Sequence, residues 1–149
     1  MKQIRKNVFE TNSSSSHSLT ISPNTPIIDN TRKLNIHMDY FGWGYEEYND
    51  IETKFNYLYT MIREYHYFDA RESGYKETEK YKKYTEELKF FTDILDGLGV
   101  EYEINELENG SIDHQSQTYE YINKFKKDKD LLIRWLFNPE SILYIDNDN

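Results

Sequence analysis

The sequence predicts an α+β fold in which strands from both ends of the chain form a mixed sheet and about three helices pack on one face of it. A segment that alternates polar and apolar residues lies at 33–38, and a mostly apolar segment that predicts a strand lies near the C-terminal end, at 141–145. Two long segments with helical periodicity, 51–65 and 77–95, lie between them. The length of 149 residues and the lack of a visible linker indicate one domain, residues 1–149.

The N-terminal part is expected to contain three strands. Residues 7–10 and 18–22 place β-branched and aromatic residues on either side of a Ser-rich segment, which predicts two strands joined by a polar loop over 11–16. Pro23 ends the second strand because proline lacks the amide hydrogen that a ladder requires. The alternation over 33–38 predicts a third strand. Its inward-facing residues are Leu34, Ile36 and Met38.

Two helices are predicted in the middle of the chain. Apolar residues recur at spacings of three and four, which places them on one stripe of a helix. In the first helix the stripe is Ile51, Phe55, Leu58, Ile62 and Tyr65, and Asn49 or Asp50 can cap its start. In the second helix, over 77–95, the buried face is Tyr81, Tyr84, Leu88, Phe91 and Leu95. Gly97 and Gly99 supply its C-terminal stop.

The C-terminal part is expected to begin and end with a strand. Residues 100–104 alternate apolar residues with acidic ones, which predicts a half-buried strand with an acidic outer face. Residues 112–116 form a polar loop or a short strand, and 118–137 is a helical region interrupted near 126–130. A last strand covers 141–145. The buried residues of the helical region are Leu131, Leu132, Trp135 and Leu136.

Composition excludes several classes of protein. Without cysteine, the chain has neither disulfides nor a cysteine-ligated zinc site. No apolar run approaches the roughly 18 residues that a membrane span requires, and the N-terminus lacks the apolar core of a signal peptide. We therefore expect a cytoplasmic protein that makes no membrane contact.

The negative charge is concentrated in one stretch. The formal charge is −9, yet residues 90–123 contain neither Lys nor Arg. Such a field repels nucleic-acid phosphates and attracts cations or a basic partner, so direct nucleic-acid binding is disfavoured. Solubility alone is the other explanation of the charge. The predicted partner-binding residues are Glu101, Glu103, Glu106 and Glu108, with Trp43 as an aromatic anchor.

A first polar segment, residues 10–18, is a candidate ligand site. Serial hydroxyls and backbone amides in a tight loop can hold an anion, and an adjacent imidazole can shuttle a proton. The phosphate-loop and nucleophile-elbow patterns are both absent. A solvated hairpin loop is the alternative. The candidate ligand-binding residues are Asn12, Ser13, Ser14, Ser15, Ser16 and His17, together with Gln115 from the second segment.

Two further polar segments lie at 113–116 and 146–149. Asp113 beside His114 can act as an acid–base pair, so His17, His114 and Asp113 are the candidate catalytic residues. Capping of the following helix is the alternative role of this segment. Asp146 and Asp148 are candidate ligands of a divalent cation, against the alternative of a frayed tail.

The motif Phe-Glu-Thr-Asn-Ser-Ser-Ser-Ser-His-Ser over residues 9–18 resembles the start of a group of small uncharacterised proteins from bacteriophages and mobile elements of Gram-positive bacteria. Those proteins also carry an Asp-His-Gln-Ser segment, which residues 113–116 match, and end near Gly-Asn-Asp-Asn. Here Asp146 stands where that pattern has glycine. If the three segments belong to one pattern, the resemblance implies that they meet in space as a polar pocket.

Two functional hypotheses follow. The first is a phage-type accessory protein, acting in anti-defence or host takeover, whose acidic face binds a basic surface of host nucleic-acid-handling machinery such as a nuclease, a CRISPR effector or a polymerase. The second is a small metal- or nucleotide-binding enzyme, a hydrolase or transferase, with a Ser/His/Asp pocket and a divalent cation. A structural subunit without a site is the third option. The sequence does not decide between enzyme and binding protein, and it predicts no oligomeric state.

Overall fold

The computed structural model describes residues 15–113 and 119–147. Groups of strands are separated by pairs of helices along the chain. The first and last described strands pair with each other. The predicted α+β class, with strands from both terminal regions in one sheet, is therefore confirmed. The strand predicted over 7–10 lies outside the described residues.

The described strands form three small sheets instead of one. In the first sheet β7 lies between β1 and β4 and runs antiparallel to both. The other two sheets are parallel pairs, β2 with β5 and β3 with β6. The strands are β1 (Ser15–Thr20), β2 (Leu34–Ile36), β3 (Tyr40–Phe41), β4 (Glu46–Tyr48), β5 (Tyr102–Ile104), β6 (Ser111–Ile112) and β7 (Ile142–Asn147).

Four α-helices occur in the described ranges, with a 3₁₀ turn at Tyr75–Glu77 before the second. They are α1 (Ile51–Tyr65), α2 (Glu79–Gly97), α3 (Glu120–Lys127) and α4 (Lys129–Phe137). The Asp50 carboxylate accepts from the Thr53 amide, which confirms one of the two predicted caps of α1. Asp128 separates α3 from α4 inside the predicted interruption, and caps α4. Among these helices none combines the length and apolar character needed to cross a membrane.

Helix α1 is the centre of the core. Its residues from Lys54 to Arg63 are all buried, because the helix contacts elements on several sides, among them β2, β6 and the other helices. The prediction of one buried stripe was therefore too narrow. It was also wrong at Tyr65, which is 53% exposed, although its ring stacks on Tyr119. Leu34, Ile36 and Met38 are buried as predicted.

One prediction of local structure needs correction. Ser15 and Ser16 belong to β1, not to the polar loop predicted over 11–16, because the ladder with β7 extends into the Ser-rich segment. The glycines at 42 and 44 predict a turn around Trp43. The structure has bends there, and the short strands β3 and β4 flank them. Gly42 in this turn has φ +103°, a conformation that L side chains rarely adopt.

Candidate functional site

The pairing of β1 with β7 brings the first and third polar segments together. Ser16 lies opposite Asp146 in the antiparallel register, and His17 lies opposite Ile145. Residues directly opposite in an antiparallel pair point to the same side of the sheet. The candidate metal ligand Asp146 is thus a cross-strand neighbour of a serine in the candidate ligand-binding segment.

His17 is buried at the junction of β1 and α1. Its exposed fraction is 0%, and its Nδ1 lies 2.8 Å from the Tyr57 hydroxyl. The His17 carbonyl accepts a hydrogen bond from the Tyr121 hydroxyl at 2.9 Å. Burial raises the pKa of Tyr57 well above its usual range, so this phenol stays protonated and can donate to an unprotonated Nδ1. The arrangement fixes the orientation of the imidazole.

The start of the second polar segment, Asp113, lies close to His17, with Gly42 between them. The amide of Asp113 donates to the carbonyl of Phe41 at 3.0 Å. A methyl group placed on Gly42 would lie 3.3 Å from His17 Nε2 and 2.5 Å from the Asp113 Cβ. His17 and Asp113 therefore both pack against the backbone of Gly42, and only glycine leaves room for that contact.

Only part of the predicted pocket lies within the described residues, and the other candidate residues remain predictions. His17 and Asp113 are neighbours across Gly42. Ser16 and Asp146 pair on the other side of the sheet, because successive residues of a strand point to opposite sides. No group of three or more His, Asp or Glu side chains within 15–113 and 119–147 is placed to hold a metal ion, which leaves the cofactor open. The residues outside the described ranges are Asn12, Ser13, Ser14, His114, Gln115 and Asp148, and the Ser15 side chain is likewise not described.

The predicted partner-binding glutamates lie around a different feature, a groove between α2 and the segment that follows β5. The groove has a volume of about 890 Å³. Glu103, Glu106 and Glu108 all line it, and we call it the acidic groove. Glu101 is exposed near it, beside Asp96 and Lys33 in a smaller depression. The residues of α2 that line the acidic groove are Tyr81, Tyr84, Thr85, Leu88, Lys89 and Thr92.

Glu106 differs from the other three glutamates because tyrosine hydroxyls bind its carboxylate, whereas Glu103 pairs with the exposed ammonium of Lys33 at 3.4 Å. It accepts hydrogen bonds from the hydroxyls of Tyr75 at 3.0 Å, Tyr81 at 2.9 Å and Tyr84 at 3.2 Å. Burial, together with the bond to Glu106, raises the pKa of Tyr81, so the phenol remains a donor. Glu106 holds the wall of the acidic groove against α2, while Glu101, Glu103 and Glu108 are exposed.

Exposed aromatic and apolar side chains continue the acidic groove toward Trp43. Trp43 is 62% exposed, and its indole nitrogen donates to Ser111 Oγ at 3.2 Å. Tyr40 pairs with Ser111 in the register of β3 and β6. Tyr40 also lines a shallow depression with Leu107 and Glu108. We call the three exposed side chains Tyr40, Trp43 and Leu107 the aromatic rim.

A buried ionic cluster joins α2 to two other parts of the chain. Glu87 is 8% exposed and lies 2.9 Å from the Nε2 of His66 and 3.0 Å from the ammonium of Lys126. The Tyr119 hydroxyl also donates to this carboxylate. The helical pattern of 77–95 predicts Glu87 on the solvent side of α2, opposite the apolar face. That prediction is wrong, because α3 covers this position.

The sequence analysis also missed the buried cations of α1, Lys54 and Arg63. A signal for them was present. The segment 51–65 contains Tyr57, Tyr59 and Met61 in addition to the predicted stripe, which is too many apolar residues for one face. A helix of this kind is buried on all sides, so cations within it are buried as well.

Comparison of the chain with family models, with curated proteins and with solved structures finds no match.

Proposed function

We propose that this protein acts by binding a basic surface of another protein, through the acidic groove and the aromatic rim. The observation that carries the proposal is the placement of Glu103 and Glu108, two exposed carboxylates, on one groove that continues into exposed Tyr40 and Leu107. The proposal includes a phage-type accessory role, in which the partner is a basic surface of host nucleic-acid-handling machinery. The resemblance of residues 9–18 and 113–116 to phage proteins supports that role.

The two parts of this surface make different contributions to binding. Carboxylates around the rim of an interface speed association with a basic partner and select against acidic ones. Large aromatic side chains that become buried on binding supply most of the affinity, and Trp and Tyr are the commonest such residues. Trp43 and Tyr40 are both more than half exposed, so each has apolar area to lose to a partner.

Lysines on α2 favour a protein-binding role over mimicry of a nucleic acid. A DNA mimic requires a continuous ridge of carboxylates that reproduces the spacing of phosphates. Here Lys80, Lys82 and Lys83 are exposed on α2, and Lys89 pairs with Asp93 at 2.7 Å beside the acidic groove. The negative surface is therefore interrupted, and its shape and aromatic content suit a folded basic partner.

The experiment measures binding of a fluorescent octa-arginine peptide, with octa-citrulline as an uncharged isostere. Fluorescence anisotropy at several salt concentrations compares the unaltered chain with Glu103→Gln/Glu108→Gln. The matched control is Glu86→Gln, since Glu86 is exposed on α2 but does not line the acidic groove. Exposed ion pairs contribute about 0.2–1 kcal/mol each, so loss of two should weaken binding of octa-arginine about two- to thirtyfold.

The proposal predicts that octa-citrulline fails to bind and that Glu86→Gln binds like the unaltered chain. A second variant, Trp43→Ala, should weaken binding of octa-arginine without changing its salt dependence, because it removes an apolar contact. Equal loss of affinity in Glu86→Gln and in the double variant would mean that net charge alone attracts the peptide. That result, or equal binding of both peptides, would overturn the proposal.

A further inference from the structure

The two-stranded sheet of β2 and β5 is covered along the edge of β2. Side chains of α1 take the place of a neighbouring strand there. The Asn35 amide donates to Glu52 Oε1 at 2.8 Å, and the His37 amide donates to Asn56 Oδ1 at 3.0 Å. The Asn56 side chain also donates to the Asn35 carbonyl at 3.1 Å. Helix α1 thus satisfies the backbone groups that this edge would otherwise present to another strand.

The outer edge of β5 is not covered in this way. Ile36 lies opposite Ile104 in the parallel register, and its carbonyl accepts from the Asn105 amide at 2.8 Å. In a parallel pair this pattern means that every second residue of this segment bonds to β2, and that the backbone groups of Tyr102 and Ile104 point away from β2. Among the described residues, none bonds to the N–H or C=O groups of Tyr102 or Ile104.

This free edge borders the acidic groove. Glu103, Ile104 and Asn105 line the groove, and α2 forms its other wall. Tyr102 is half-buried and lies on the side of β5 that faces α2, since its hydroxyl donates to the Asp96 carboxylate near the end of that helix at 3.4 Å. Ile104 shares this side, whereas Glu103 is exposed on the opposite side. The volume of about 890 Å³ leaves room for a short extended segment between β5 and α2.

The charges beside the free edge favour a basic segment. Glu103 and Glu108 are both exposed and line the groove. Glu103 pairs with Lys33 at 3.4 Å, but both side chains are more than half exposed, so this pair is weak and can exchange for another cation. Lysines also line the groove, and Lys89 is neutralised by Asp93 at 2.7 Å.

We propose that the acidic groove takes up an extended segment of the basic partner as an added strand beside β5, with basic and apolar residues alternating along that segment. This inference rests on the proposed function and states the form in which the partner is recognised. The backbone of the segment bonds to the N–H and C=O groups of Tyr102 and Ile104. Its apolar side chains lie beside Ile104, toward α2, and its basic side chains lie on the side of Glu103.

The experiment measures binding of three fluorescein-labelled peptides, each with four Arg-Val repeats, to the full chain by fluorescence anisotropy. One peptide is unmodified, one is N-methylated at its valines, and one is N-methylated at its arginines. Successive residues of a strand bond on opposite edges, so each methylated isomer has one blocked edge, and all three peptides carry the same charge. One isomer should bind like the unmodified peptide. The other should bind at least about tenfold more weakly, because it lacks the donors that face β5.

Amide hydrogen exchange, followed by NMR, locates the added strand on the protein. Binding of the unmodified peptide should slow exchange of the Tyr102 and Ile104 amides at least about tenfold, because these amides gain acceptors. The Asn105 amide is the internal control. It already donates to Ile36, so its exchange should stay the same.

Several results would overturn the proposal: no binding of the unmodified peptide, equal affinity of all three peptides, equal loss in both isomers, or unchanged exchange at Tyr102 and Ile104. Slow exchange of these two amides in the free protein would overturn it as well, since another part of the chain or a second copy would then cover the edge. The docking function is judged separately, by octa-arginine and the variant Glu103→Gln/Glu108→Gln. If that test succeeds and this one fails, the partner binds the acidic groove without adding a strand.

Discussion

Lys54 offers a quantitative test of how the core of this protein is built. Its side chain is completely buried, and its ammonium donates to the carbonyls of Trp135 at 2.8 Å and Asn138 at 3.2 Å, at the C-terminal end of α4. The Trp135 carbonyl belongs to the last turn of α4, which carries the partial negative charge of the helix. The Asn138 carbonyl follows the helix and also accepts from the Ser141 amide at 2.9 Å. Burial lowers the pKa of Lys54 to about 8, although the nearby Asp50 opposes the shift.

The lowered pKa sets the sign of a pH effect on stability. Between the folded pKa of about 8 and the unfolded value of 10.5, the unfolded chain holds a proton that the folded chain has released. Stability rises with pH wherever the unfolded state binds more protons, so Lys54 contributes no pH dependence well below pH 8 and a gain above it. Linkage gives a gain of about 1.4 kcal/mol on going from about pH 7 to about pH 9.

The perturbation is Lys54→Met, which keeps the length of the side chain and removes its charge. Urea denaturation at several pH values gives the free energy of unfolding of both proteins. The unaltered chain should gain about 1.4 kcal/mol relative to the variant over this range. Buried tyrosines such as Tyr57 and Tyr84, whose pKa values burial raises, destabilise both proteins above about pH 10 and cancel in the difference.

A control variant, Lys82→Met, removes an exposed lysine of α2 and should give a curve parallel to that of the unaltered chain. Parallel curves for Lys54→Met as well would refute the reasoning, because they would mean that Lys54 keeps its proton in the folded state up to the unfolded pKa. A difference of opposite sign would mean that a carboxylate stabilises the ammonium.

Two further predictions concern the candidate pocket and the buried ionic cluster. Gly42→Ala should lower the free energy of unfolding by at least about 2 kcal/mol, since the new methyl group meets Asp113 at a strained φ. The control Gly44→Ala should change it by less than about 0.5 kcal/mol, because no atom lies within 4 Å of the added methyl group. Equal effects of the two variants in urea denaturation would show that the packing at Gly42 is not tight. Glu87→Gln should lower the free energy of unfolding by about 2 kcal/mol in the same assay, since the buried side chain loses its charge opposite Lys126. The control is Glu86→Gln, at an exposed position of α2. A loss as small as that of the control would show that the ion pair of Glu87 with Lys126 does not stabilise the fold.

The helices were largely predictable because their signals are local. The spacing of Ile51, Phe55 and Leu58, with Asn49 or Asp50 as a cap just before them, predicted the start of α1 to within one residue. The break at Asp128 also carries a local signal, since a charged segment interrupts an apolar pattern. The helical period does not predict how many other elements pack around α1, because that depends on contacts between segments far apart in the sequence.

The sheets were less predictable because their partners are far apart in sequence. β3 and β6 have two residues each and carry no pattern that identifies either as a strand. Serine occurs in both loops and strands, so the sequence alone does not show that Ser15 and Ser16 belong to β1. Their pairing with β7 places them in the strand. The short distance between His17 and Asp113 likewise depends on the turn at Gly42, because both residues pack against the backbone of this glycine.

The position of β7 between β1 and β4 has a consequence for biosynthesis. β7 is the last described element of the chain, and both of its neighbours in the sheet precede it by long stretches. While the ribosome is still extending the polypeptide, β1 and β4 have been made but lack the strand that joins them. Local contacts allow the helices to form early, whereas this sheet closes only once β7 has emerged from the ribosome. A nascent chain arrested before Ile142 therefore exposes the edges of β1 and β4 that β7 would otherwise cover.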